Sequence, residues 1–133
     1  MKYTLTVILT FFNVSNIMAA SNHCVTIDSP WISLVSGNIE LNAKSQPQQI
    51  STSTPFNLIV NICQNNKAYQ GELSFNANMP LHKHGMNYQA STTKLDNGQF
   101  LIQGSLLHMP GLWRFSFTLD SQTQPLFYNY VLP

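Results

Sequence analysis

Two histidines and two methionines fall within eight residues, in Met79-Pro80-Leu81-His82-Lys83-His84-Gly85-Met86. A second group, His108-Met109-Pro110-Gly111, follows in the next third of the chain. Imidazole nitrogen and thioether sulfur are both metal ligands, and neither segment carries a carboxylate. That donor set disfavours magnesium and calcium, which take oxygen. Thioether sulfur favours monovalent copper, and imidazole suits copper in either oxidation state. Zinc on three histidines is the rival metal. In an extended stretch His82 and His84 project to one side, so both can reach one ion. Each donor also has a plainer role open to it. Met79 continues an apolar stripe and fits a core, Met109 can pack under the turn that follows it, and His108 can serve as a hydrogen-bonding histidine beside a strand end. Lys83 reads as a solvated charge, and one that would repel a nearby cation.

The residues around these donors set where they can sit. Pro80 has no N–H to give a sheet, and Gly85 allows a sharp bend, so the first segment is expected as a loop after a core strand. Pro110-Gly111 lies between apolar runs and fits a type II turn with glycine at positive φ. If the two loops share one end of the domain, His82, His84, Met86, His108 and Met109 converge.

The elements that would carry these loops are strands. Phe56, Leu58, Val60 and Ile62 alternate with other residues, as do Leu73, Phe75, Ala77 and Met79, and Trp113, Phe115, Phe117 and Leu119. Asp96-Asn97-Gly98 separates two strand-like runs as a hairpin turn does. Gln124 to Leu132 reads as a last strand, and the polar residues 43–54 read as a loop. No amphipathic helix intervenes. Short strands at regular spacing imply an all-β, Ig-like antiparallel β-sandwich of about seven strands.

The start of the chain reads as a secretory signal peptide over residues 1–20. Lys2 provides the positive charge, Leu5 to Phe12 the apolar run, and Met18-Ala19-Ala20 the small residues before a cut. The run is too short to span a bilayer as a mature helix. Residues 21–133 then make one domain of ordinary size. Without Lys2, five basic residues balance five acidic ones. A neutral chain argues against nucleic acid and against an anionic membrane face. The expected location is the periplasm or the cell exterior, with no stable membrane insertion after cleavage. In such a compartment Cys24 and Cys63 read as a disulfide, with two free thiols as the other reading. Cleavage after Ala20 would also expose Ser21-Asn22-His23, where a free amine, two amides and the His23 imidazole can wrap divalent copper.

The order Met79-Pro80-x-His82-x-His84-Gly85-Met86, Asp96-x-Gly98-x-Phe100, His108-Met109-Pro110-Gly111-x-Trp113 resembles the YtkA-like domain family over about residues 55–119. These are small exported or membrane-tethered β-sandwiches, loosely related to copper-handling sandwiches of the CopC type. The resemblance implies an Ig-like fold and an association with copper or with oxidase assembly. It makes His82, His84, Met86, His108 and Met109 the motif donors, and Pro80, Gly85, Pro110, Gly111 and Trp113 the shape-setting residues. Lys83 departs from the pattern, which often has glycine there.

The leading expectation is an exported protein that holds or delivers copper, with a copper acceptor or another envelope protein as partner. The alternative is a structural or protein-interaction module without metal. No Gly-x-Ser-x-Gly elbow, phosphate-binding loop or His-Glu-x-x-His helix points to an enzyme.

Overall fold

The computed structural model describes residues 23–133. The leader and Ser21-Asn22 lie outside the described residues, and so does the N-terminal amine on which the copper-wrapping reading of His23 depends. Within the described residues the secondary structure is strand throughout, with no helix.

Ten strands form two antiparallel sheets. The first sheet runs β1 (Ile32–Ser36), β2 (Ile39–Gln46), β3 (Phe56–Gln64), β8 (Gln99–Ser105), β7 (Ser91–Lys94), with β4 (Lys67–Ala68) folded back onto β3. The second runs β10 (Leu126–Leu132), β9 (Gly111–Leu119), β5 (Leu73–Met79), β6 (His84–Gly85). Seven of the ten are five residues or longer, which accounts for the count expected from the alternation. The order β2-β3-β8-β7 opposite β10-β9-β5-β6 is the A-B-E-D and G-F-C-C′ arrangement of Ig-like sandwiches, with β1 added at the edge.

The alternating residues do what their period requires. Phe56, Leu58, Val60 and Ile62 are buried on β3, Leu73, Phe75, Ala77 and Met79 on β5, and Trp113, Phe115, Phe117 and Leu119 on β9. They meet in one core between the sheets. Phe115 sits near its centre, in edge or stacked contact with Phe56, Phe75 and Tyr130 at 5.5–6.3 Å between ring centroids. Each such side chain contributes about 1.5–3 kcal/mol by leaving water.

Turn chemistry follows the residues. Asn97 and Gly98 take φ of 58° and 76°, and Gln99 donates to the Asp96 carbonyl, which is the two-residue hairpin turn favoured by right-handed strand twist. A side chain at Gly98 would strike the Ile62 carbonyl, so packing as well as φ demands glycine there.

One sequence expectation fails. Residues 43–46 belong to β2 rather than to a loop. Lys44 and Gln46 point outward while Ala43 and Ser45 are buried, so a strand made of small inward residues hides in a polar stretch. The disulfide expectation holds: Cys24 and Cys63 are joined, with Cα atoms 5.7 Å apart. The bond ties the N-terminal arm across the outer face of the first sheet. The arm buries Ile27 and offers the Val25 carbonyl to the Asn61 side chain.

Candidate metal centre

The centre is built at one end of the sandwich from two loops. The first joins β5 to β6. Pro80 stops β5, His82 donates its N–H to the Met79 carbonyl at 3.2 Å, and the chain returns so that His84 pairs with Met79 and Gly85 with Asn78. His82 thus sits in the turn of the expected loop, so the extended geometry that would set it beside His84 does not apply. The turn is made by Lys83, which takes φ of 53°, a left-handed conformation that glycine adopts at lower cost.

Residues paired across an antiparallel ladder share a face, so His84 lies on the inward side with Met79. Met86 donates its N–H to the Ala77 carbonyl, and two residues beyond His84 it returns to the same face. It packs partly buried against the core. Met79 itself is 1% exposed and is a core residue.

The second loop joins β8 to β9 and carries His108 and Met109 over the same end. The Trp113 indole N–H donates to the Met109 carbonyl at 2.9 Å, and the His108 ring stands edge-on to that indole at 5.5 Å. Trp113 is fully buried and so anchors the loop to the core. Gly111 takes positive φ, 118°, and a side chain there would press on the Met79 methyl at 3.0 Å. Met109 packs partly buried against the core.

The two loops meet. The His84 ring lies 6.3 Å from the His82 ring, nearly parallel to it, and 6.3 Å from the His108 ring, nearly perpendicular to it. Two imidazoles bound to one ion through bonds of about 2.0–2.1 Å stand with centroids roughly 5–6.5 Å apart. As placed, no three His, Cys, Asp or Glu side chains among the described residues stand close enough together to hold a metal. Closing the set takes side-chain rotation at His82 and His84, both exposed. The third ring carries an orphan. His108 Nδ1 is buried and has no hydrogen-bond partner among the described residues. A buried ring nitrogen without a partner is costly, and a metal ion would satisfy it. The donor types suit copper or zinc, and as placed they do not form a metal cluster among the described residues.

His23 stands apart. Its backbone bridges Lys67, near Cys63 and the far end of β3. It shares nothing with the other three histidines.

At that far end the sequence reading missed a polar knot. The Tyr69 hydroxyl donates to the Asp120 carboxylate, which also accepts the Glu72 N–H at 3.1 Å, and the Ser121 N–H approaches the phenol oxygen at 3.3 Å. Burial, then the bond to Asp120, raises the Tyr69 pKa, and the same bond lowers that of Asp120. No motif spacing links residues so far apart in sequence. A tyrosine in a connection opposite an aspartate at a strand end was the available signal.

No family model matches the chain, and no curated protein matches it. Among solved structures it is similar to a DUF4426 family protein from Pseudomonas aeruginosa PAO1, at 10% identity and a TM-score of 0.49, over 77% of this chain and 94% of that one.

Proposed function

We propose that this chain is an exported copper-binding protein that holds or delivers the ion without chemical turnover. The observation that carries the reading is that the His84 ring stands 6.3 Å from the ring of His82 in its own loop and 6.3 Å from that of His108 in the other, at one end of the sandwich. His84 is the central ring, and the buried, unpartnered His108 nitrogen is the third donor. Met86, on the His84 face, and Met109, beside His108, supply thioethers within the same two loops. Imidazole with thioether favours monovalent copper. The disulfide suits an oxidising compartment, the periplasm or beyond. The motif resemblance to YtkA-like domains and CopC-type sandwiches points the same way, toward copper homeostasis or oxidase assembly with an envelope protein as acceptor.

The test is a competition titration of the exported protein with monovalent copper against a colorimetric chelator. The expected result is one ion per chain, bound more than about tenfold more weakly by His82→Ala/His84→Ala, since loss of even a supporting hydrogen bond costs 10–100-fold at a metal site. Equal binding by both proteins would abandon the copper reading. That result would favour the interaction module, for which the separated resting positions of the donors speak.

A further inference from the structure

The N-terminal arm leaves a groove beside the first sheet. Asp28 and Ser29 from the arm, Gln46 and Pro47 at the end of β2, and Trp31 and Lys44 line a space of about 460 Å³. A second space of about 480 Å³ shares Asp28, Lys44 and Gln46 with the first and continues to Ile59, Leu95 and Leu101. Proteins hold small ligands in spaces of roughly 300–1,000 Å³. The Cys24–Cys63 bond and buried Ile27 fix the arm, so the groove is formed before a ligand arrives. Ser29 on its rim holds φ of 52°, a strained conformation of the kind kept at ligand clamps.

Three side chains give the groove its chemistry. The Trp31 indole N–H donates to the Ser45 hydroxyl at 3.2 Å, and that hydroxyl donates to the Gln48 carbonyl at 2.8 Å. With its donor taken, Trp31 offers the groove ring carbon alone. Tyr128 and Tyr130 steady that ring, each at 5.4 Å between centroids. Asp28 and Lys44 bring opposite charges to both halves of the groove. Among the described residues they do not pair with each other or with a third group, the ion pair found being Lys94–Glu72. A ligand that answers both charges carries an ammonium and a carboxylate on one small frame. An ammonium beside Asp28 also gains from an indole face. Past the two charges the groove runs over Ile59, Leu95 and Leu101, and Leu95 is 43% exposed. We propose that this groove binds a free α-amino acid with an apolar side chain, its ammonium held by Asp28 against the Trp31 ring, its carboxylate by Lys44, and its side chain laid toward Ile59, Leu95 and Leu101.

The experiment is a titration of the purified protein with L-leucine, followed by tryptophan emission. The chain has two tryptophans and Trp113 is fully buried, so a change reports Trp31. The same titration is run with L-leucine methyl ester, which lacks the carboxylate, and with N-acetyl-L-leucine, which lacks the ammonium. It is repeated on Asp28→Asn and Lys44→Met, with thermal melting to check that each variant keeps its fold. L-leucine should give a saturable change. Each loss of a charged contact, in the ligand or in the protein, should weaken binding by about tenfold or more. No saturable change at millimolar L-leucine overturns the proposal. So does equal binding of leucine and its two blocked forms, or leucine binding that both variants keep. Variants that melt earlier, in a protein that binds no leucine, would mean that Asp28 and Lys44 serve the fold as an internal pair, which also overturns it.

Discussion

Lys83 is the residue at which local backbone and local charge disagree most plainly with the role proposed for its neighbours. It holds φ of 53° between two exposed imidazoles. A left-handed conformation costs a non-glycine residue about 1–2 kcal/mol, and an ammonium beside a copper site opposes the cation. Lys83→Gly should therefore bind monovalent copper several-fold more tightly and leave stability unchanged or raised by up to about 1 kcal/mol. The gain is partly offset by the freer unfolded chain that glycine brings. Chelator competition and urea unfolding would read the two effects, and weaker copper binding in this variant would contradict the argument. The donors at this scale were legible in the sequence, because their types and spacing announce them. Their geometry was not. The loop after β5 was expected, while the turn within it, made by a lysine at positive φ, was not. The orphan on His108 could not be foreseen either, since burial of one ring nitrogen depends on Trp113 from a different element.

Among the elements, the strands with strong alternation were readable and the strand without it was not. β3, β5 and β9 show large apolar residues at every second position. β2 ends with Ala43 and Ser45 facing inward, and small inward residues leave no stripe to see. The N-terminal arm is an element without secondary structure, held to the outer face of the first sheet by the Cys24–Cys63 bond. That bond closes a separation of 39 residues. In the chain-entropy model a loop of that size is worth about 4 kcal/mol. Cys24→Ser/Cys63→Ser should thus lower the free energy of unfolding by about 4 kcal/mol, measured by urea denaturation. Copper affinity should not change. Cys63 and Phe56 lie at opposite ends of β3, roughly 23 Å apart at 3.3 Å per residue, and His82, His84 and His108 are at the Phe56 end. A loss of copper binding in the serine variant would mean that the arm and the metal site are coupled, contrary to the placement found.

The whole molecule is a sandwich whose two ends differ in chemistry. One end gathers imidazole and thioether. The other is closed by the Tyr69–Asp120 knot, which joins the connection before β5 to the residue after β9. Because burial and then the bond to Asp120 raise the folded pKa of Tyr69 above its ordinary value of 10.0, its contribution to stability is complete below that value. The contribution is lost as pH rises through the folded pKa. Asp120 behaves in the opposite sense. Its pKa is lowered from 3.8, first by the Tyr69 bond, so its contribution is present above that value and is lost as pH falls through the folded one. Unfolding followed across the alkaline range should show the native chain losing more stability than Tyr69→Phe above pH 10. Parallel curves would remove the knot from the account. The architecture followed from short alternating strands and turn residues, while the pairing of the two ends required the fold itself.

The claim on which the account turns is that the two loops act as one site, and copper competition with His84→Ala, His108→Ala and the double variant tests it most directly. Loops that share one ion predict strong non-additivity: either single substitution should weaken monovalent copper by more than about tenfold, and the double variant should lose far less than the product of the two. If His108→Ala binds copper as the native chain does, the β8–β9 loop holds no ligand and the two-loop copper site is wrong.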